Sequence, residues 1–582
     1  MENTLKQEIL KVIKEKYNIV LYDIKLTIPP KKEMWDFAFN CGILSRELKK
    51  SPAIISVELL SDLQDIELIK SVTEENGYIN IFLNNDIFTT NFKTIYNNYL
   101  NDKNYFNVWN GSKLVVDYIG ANVWKTLHIG HMCTPNGWQA MINTYKKLWY
   151  DVISDSHIWD WWIIFGKLIT AYKLWWDENK LKENAVDYLL ELYVKITSES
   201  ENDELLEQRT RDEFKLLSEW NSESVELWKE FTSYSIDAMN KILARLNVKP
   251  DYNIGESFYE WLWLPKIENN PDLQFDMKSI VSELLSKWIA TKNEDNSVWV
   301  IFENDKFPSC ILQKRDWTHG YLASDLASIK YRATNWNPDK IVYFVDIRQK
   351  LHFEQAFEIA KNAWWLWKTE LFHAYNWFIS GKEWAFSSRK WNIIKLWDLL
   401  DEAEIRAKKI ILEKRNDLSD NELRDLSKII WIWAIKYGYL KKNRETDVIF
   451  DWDEFMTFEG NSWPYIQYAY VRAFRILENS METDFSKDWK TGFEFAEEFD
   501  LIKNLSNYKE ILENTASKNL PHILCKYAYD LTKSFNSFYN SVHILNETDD
   551  EKKYARLKLI SLFTFVIKDS FSILWIEVPT KM

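Results

Sequence analysis

Residues 113–132, KLVVDYIGANVWKTLHIGHM, decide how this chain is read. Leu114 to Val116 is an apolar, β-type run, which predicts a strand. A short polar loop follows, then His128, Gly130 and His131 open a segment that reads as helix. Two imidazoles three residues apart at a helix start lie on one face. The glycine between them lets a flat ring approach the backbone. Free N–H groups and the positive end of the helix dipole suit phosphate. The pattern fits a nucleoside triphosphate whose phosphates are stabilised by paired histidines during attack on the α-phosphorus. Its plain alternative is two ordinary polar residues at a helix N-terminus.

The composition is abnormal in one respect. The 582 residues include 31 Trp and only 13 Gly, whereas average usage predicts about 41 glycines. Trp317 in RDWTHG, Trp220 in EWNS, Trp463 in NSWPY and Trp391 in RKWN occupy turn contexts that call for glycine. Many tryptophans are therefore expected to be glycines in the natural protein, as when a gene that uses UGA for glycine is read with UGA as tryptophan. A tryptophan cannot cheaply take the positive-φ conformations of glycine, and its bulk fills any space the glycine leaves open. Trp161 and Trp228 read as genuine tryptophans.

The length predicts several domains with ample apolar residues for their cores. A net charge of −14 argues against a globally basic nucleic-acid binder, though not against a local basic face. Cys41, Cys133, Cys310 and Cys525 are far apart and give neither a zinc site nor a disulfide framework, which suits a reducing cytosol. The first twenty residues form a charged amphipathic helix pattern rather than a signal peptide. No apolar run reaches membrane-spanning length.

Taken in order, residues 1–105 predict a small α/β domain, with a helix over Leu5–Ile19, a short strand over Val20–Leu26 and a strand over Asn76–Asn84. Residues 101–113 read as linker. Across 106–400, strand-like KLVVDYI, YDVISDSHI, DKIVYFVDI and ELFHAYNWFI alternate with helices, and 180–250 reads as an inserted helical segment. The predicted fold class is α/β, a doubly wound parallel sheet with its ligand crevice at the strand carboxyl ends. From 401 to 582 the helical periodicity predicts an all-α bundle.

ANVWKTLHIGHM and LWYDVISDSHIWDWWIIFGKLI resemble arginyl-tRNA synthetases, the more closely with glycine restored at Trp149, Trp159 and Trp162. GESFY (255–259), KRDWTHGYLASDLAS (314–328), VYFVDIRQKLHFEQ (342–355), WAFSSRKWN (384–392), FEGNSWPYIQYAYVR (458–472) and the terminal LWIEVPTKM (574–582) match in the same order. The resemblance covers essentially the whole chain. It implies a Rossmann-like class I catalytic domain in 106–400, a tRNA-contacting domain in 1–105 and an anticodon-binding bundle in 401–582. The implied reaction joins L-arginine and ATP into arginyl-adenylate and pyrophosphate, then moves the arginyl group to tRNA(Arg). Magnesium is implied with ATP and no zinc. A cytoplasmic monomer is expected.

By the same resemblance His128, Gly130 and His131 bind ATP, with His128 and His131 stabilising the transition-state phosphate and residue 124 in the same loop. The second class I signature reads Ala385-Phe386-Ser387-Ser388-Arg389, so its first lysine and its methionine depart from the family. Ser387, Ser388 and Arg389 remain as ATP contacts, and Lys125 is the replacement cation, a role that the family shifts upstream. Asp325, Tyr321 and Gln349 match the contacts to substrate arginine, and Asp117 and Asn122 those that hold its α-amino end. His157 and His352 read either as supports of that site or as structural histidines. Tyr468, Arg472 and Met582 are the anticodon-side candidates for tRNA binding. Two other readings stay open. One is a cysteine or lysine synthetase of the same class. The other is a degenerate protein that binds tRNA without charging it, which Ala385, Phe386 and Cys133 favour.

Overall fold

The expected strand at Leu114 forms, and the chain winds both ways from it. In this computed structural model the described residues are 2–27, 29, 35–123, 125–260, 273–303, 306–377, 379–381, 395–414, 417–457, 460–480 and 493–577. Residue 124, the second signature (Ser387, Ser388 and Arg389 included), Trp391 and Met582 lie outside them.

Four N-terminal strands, β1 (Leu26–Thr27), β2 (Phe37–Asn40), β3 (Ile69–Glu75) and β4 (Tyr78–Leu83), make an antiparallel sheet of order β1-β2-β4-β3. Only the last residue of the strand expected at Val20–Leu26 pairs. Val20 and Tyr22 are exposed and face no strand among the described residues, so the ladder starts at Leu26. The unit is tied to the far end of the chain: the Tyr99 hydroxyl donates to the Leu505 carbonyl at 2.9 Å, and Lys503 Nζ to the Asp36 carbonyl at 2.7 Å.

The central sheet contains β5 (Lys113–Asp117), β6 (Asp151–Ser156), β7 (Tyr252–Asn253), β11 (Lys340–Tyr343) and β12 (Glu370–His373), with β8 (Thr291–Lys292), β9 (Val298–Val300) and β10 (Cys310–Gln313) forming a separate antiparallel sheet. Its order is β12-β11-β5-β6-β7 and every pairing is parallel. Leu114, Val115 and Val116 are fully buried, as a parallel strand covered on both faces requires. The chain builds outward from β5 through β6 and β7, then returns to add β11 on the other side. That reversal opens a crevice beyond the carboxyl ends of β5 and β11.

Between β6 and β7 the chain forms helices Glu178–Ser200, Glu204–Ser218 and Ser222–Arg245. Among the described residues the C-terminal region is helical from Asp420–Leu440 to Asp550–Ile573, with one short exception: β14 (Val448–Phe450) pairs in parallel with β13 (Ile379–Gly381).

Several tryptophans lie in left-handed backbone. Trp149, Trp220, Trp288, Trp364 and Trp575 have φ between 59° and 67° and each follows a helix. At Trp220 the geometry is that of a Schellman cap: its N–H donates to Leu217 O at 3.1 Å and the Asn221 N–H to Leu216 O at 3.0 Å. The same pair of bonds recurs at the other four. Asn247 and Asn519 hold the equivalent place at two further helix ends, with φ of 53° and 56°. Trp317, at φ 67°, sits in the turn closed by the Lys314 N–H to Thr318 O bond. Trp161 and Trp228 are ordinary core residues, and the Trp228 indole donates to Asp160 O at 2.7 Å. Trp463 heads the helix Trp463–Glu478 with its ring buried.

The contrast is measurable by chemical denaturation. Trp220→Gly removes an exposed ring from a left-handed site and is expected to stabilise the fold by about 1 kcal/mol. Trp228→Ala opens a cavity and is expected to cost about 3–5 kcal/mol.

Candidate active site

The loop leaving β5 delivers His128 and His131 to the start of helix Gly130–Lys147. The Gly130 N–H donates to His128 Nδ1 at 3.1 Å, and the His128 N–H to His131 Nδ1 at 3.1 Å. Burial pushes His128 down to about 4, with Lys125 and Arg348 adding to the effect, and pushes His131 down to about 3. Both rings are therefore neutral at neutral pH. With each Nδ1 accepting, the proton resides on Nε2, so both rings present a preset Nε2–H donor. Glycine is required between them: a Cβ on residue 130 would lie 2.8 Å from His128 Cε1. Burial lowers the Lys125 ammonium, which shares this loop.

Behind the loop, Arg332 has no exposed surface. Its Nη1 donates to Asp117 Oδ2 at 2.7 Å, and its Nη2 and Nε to Asp155 Oδ2 at 2.7 and 3.0 Å. Asp117 and Asp155 are paired residues at the ends of β5 and β6. The ion pair thus fixes helix Tyr321–Asn335 against the sheet.

The first two turns of that helix carry Tyr321, Ser324 and Asp325. His352 Nε2 donates to Asp325 Oδ2 at 2.6 Å, and His157 Nε2 stands 4.0 Å from Oδ1. Burial alone would raise Asp325, but the bond from His352 holds it below the usual carboxylate range. His352 is raised in return: burial lowers it, but the bond to Asp325 and the charge of that carboxylate together outweigh burial.

Glu256, from the GESFY segment, is the residue that sequence reasoning missed. It is buried, accepts from Ser324 Oγ at 3.2 Å and from the Trp162 indole, and has no cation among the partners described. Burial, then the charges of Asp325 and Asp160, push it well above the carboxylate range. The sequence did carry a sign of close packing here: a Cβ on Gly255 would lie 2.4 Å from Asp160 Oδ2.

The remaining candidates are dispersed. Asn122 bridges to Trp159 and its carbonyl accepts the Lys125 N–H at 3.3 Å. Gln349 is half-buried and precedes helix Lys350–Asn362. Tyr468 and Arg472 lie on the bundle helix Trp463–Glu478, where the Arg472 guanidinium is 4.8 Å from the Tyr468 ring and 4.7 Å from that of Tyr539. Trp162, Tyr321 and His352 line a cleft of about 1190 Å³ that also reaches Arg211 and Lys215 of the insertion.

Family models match most of the chain. One described as tRNA synthetases class I (R), catalytic domain, covers residues 94–452. The DALR anticodon binding domain covers 466–582, and the arginyl tRNA synthetase N terminal domain covers 3–83. The chain belongs to the arginyl-tRNA synthetases. Curated relatives of this synthetase include an arginine–tRNA ligase of Clostridium acetobutylicum, 34% identical over 98% of this chain and 99% of that one. Another is an arginine–tRNA ligase of Clostridium botulinum, 34% identical over 99% of this chain and all of that one. Two solved structures share the fold over the whole chain. The arginyl-tRNA synthetase of Thermus thermophilus has a TM-score of 0.77 at 19% identity, with all of that chain covered. That of Plasmodium falciparum has 0.80 at 23%, with 99% covered.

Removing the central cation of the synthetase's buried ion pair tests its role. Arg332→Leu leaves two carboxylates buried without compensation and is expected to cost about 3–5 kcal/mol in urea unfolding.

Proposed function

We propose that this chain, an arginine–tRNA ligase, activates L-arginine at the crevice between β5, helix Gly130–Lys147 and helix Tyr321–Asn335. The observation that carries the residue assignment is the buried carboxylate pair, Glu256 and Asp325, together with the two neutral imidazoles that offer Nε2–H donors at the start of helix Gly130–Lys147. A substrate with a guanidinium at one end and a carboxylate at the other bridges the two.

Asp325 and Glu256 take the guanidinium, with Tyr321 and Gln349 beside them. A neutral analogue leaves those carboxylates unpaired, which is the basis of specificity. Asp117 and Asn122 hold the α-amino end. The substrate carboxylate oxygen then attacks the α-phosphorus of ATP, the bond to the β-phosphate oxygen breaks, and pyrophosphate leaves. His128 and His131 donate to the phosphoryl oxygens as charge develops, and Lys125 adds positive charge. Ser387, Ser388 and Arg389 are assigned to the leaving pyrophosphate. Magnesium accompanies the ATP phosphates and neutralises part of their charge. A hydroxyl of the terminal adenosine of tRNA(Arg) then attacks the arginyl carbonyl and AMP departs.

Residues 1–105 and 401–582 are assigned to tRNA, with Tyr468, Arg472 and Met582 on the anticodon side, and 106–400 to chemistry. The Arg472 guanidinium between two tyrosine rings supports base stacking there. The enzyme works as a cytoplasmic monomer. Among the described residues no helix is long and apolar enough to cross a membrane.

Many of the tryptophans stand where the natural protein carries glycine, through a gene that uses UGA for glycine. Five Schellman caps with a left-handed tryptophan support this, because that position selects glycine or asparagine. Trp138, Trp431, Trp433 and Trp463 add to it, each burying an indole N–H with no hydrogen-bond partner. Codons decide the matter: UGG at these positions rules the idea out.

Arginine-dependent ATP–pyrophosphate exchange, with and without tRNA, is expected in the chain with glycine at the suspect positions and not in the written chain. In that active form His131→Asn is expected to lower the exchange rate by about 10²–10³. A folded glycine form that binds tRNA and exchanges nothing points instead to the degenerate binder. Burial and the charges of Asp325 and Asp160 raise Glu256 well above the carboxylate range, so pairing with a guanidinium, which favours the ionised form, is expected to release protons and to tighten as pH rises. Calorimetry in buffers of different ionisation enthalpy reads that release directly.

A further inference from the structure

The side chain of Trp162 is the point at which the written sequence and the substrate pocket meet. Residue 162 precedes helix Ile163–Trp175 with φ 153° and ψ 171°, a region that in practice only glycine enters freely. Its indole is nonetheless buried, 9% exposed, and turned into the pocket. The ring packs on Tyr321 with centroids 4.2 Å apart, and its N–H donates to the Glu256 carboxylate. Ser324 holds the other oxygen of that carboxylate, and the charged and titratable neighbours are Asp325, Asp160 and His157. A flat ring with an in-plane N–H, tilted at 50° against Tyr321 and bonded to Glu256, presents the contacts of a guanidinium. It lacks the positive charge, which is why Glu256 stays uncompensated.

We infer that the indole of Trp162 occupies the seat of the substrate's guanidinium, so that the chain with tryptophan at 162 is closed to arginine and opens when that side chain is removed. The inference rests on the assignment of Glu256 and Asp325 to the guanidinium. It adds that one side chain of this chain competes for the same place. A plug of this kind lowers the apparent affinity by the fraction of time for which the seat is filled.

Calorimetric titration with L-arginine tests it on four full-length proteins: the written chain, Trp162→Gly, Trp162→Ala and Trp220→Gly, the last a left-handed tryptophan outside the pocket. Both variants at 162 are expected to bind at least roughly a hundredfold more tightly than the written chain and Trp220→Gly. Indole added to Trp162→Gly is expected to refill the seat and weaken arginine binding. Equal arginine affinity in all four proteins overturns the plug and leaves the arginine assignment standing. Variants at 162 that keep their melting temperature and bind indole but not L-arginine, or neither, overturn the arginine assignment and the plug with it. A large fall in melting temperature for both variants at 162 shows the indole to be a core side chain and overturns the proposal on that ground.

Discussion

A guanidinium with no exposed surface holds the catalytic half of this synthetase together. Arg332 reaches from helix Tyr321–Asn335 to Asp117 and Asp155, the last charged residues of two neighbouring strands. Burying three charges costs desolvation energy that only close, complete pairing offsets. The geometry leaves few alternatives: one helix must cross the sheet at one height and one rotation. That placement puts Tyr321, Ser324 and Asp325 over the crevice and turns their face toward Glu256. The ion pair is far less about stability than about where the first turns of this helix come to rest.

The two ends of the crevice are tuned in opposite electrostatic senses. At the histidine end, burial and nearby cations keep two imidazoles neutral, and backbone N–H groups fix their tautomer. Neutral donors aimed in advance stabilise developing negative charge without reorganisation. At the other end, burial and like charge leave Glu256 short of a cation, while His352 keeps its neighbour Asp325 ionised. The chain therefore offers donors to an anion at the start of helix Gly130–Lys147 and acceptors to a cation at Glu256 and Asp325. A zwitterionic substrate with a basic tail is the ligand that satisfies both.

The tryptophans set a second, independent constraint. Backbone hydrogen bonds at five helix ends demand left-handed φ, and the residue supplied there is the largest of the twenty. Asn247 and Asn519 occupy the same position at two other ends without conflict, since a short polar side chain tolerates it. Trp228 shows the opposite case, a ring with a full set of contacts and a bonded indole. Conformation separates the two kinds of tryptophan more sharply than burial does. Trp463 is sorted by neither, being helical and fully buried, and only its orphan N–H sets it apart from Trp228.

The sequence by itself determined the sheet and the cluster of His128, Gly130 and His131 at the helix start. Leu114 to Val116 reads as a strand because it is an unbroken apolar run, and the three later strand runs are legible through their alternation with helices. His128, Gly130 and His131 are legible because their chemistry is local: two rings and a glycine within one turn. Only the tertiary structure brought Glu256 to the helix that carries Tyr321, Ser324 and Asp325. Glu256 lies far along the chain from Asp325 and Tyr321, and a carboxylate in GESFY carries no mark of burial until the helix anchored by Arg332 closes over it. The strand at Val448–Phe450 was hidden for the same reason, since its partner is Ile379–Gly381. The consequence of Trp162 was hidden too. A ring that reads as an odd turn residue becomes an occupant of the pocket only when Tyr321 and Glu256 are brought to either side of it. Local patterns record what a residue must be, while long-range packing decides what it meets.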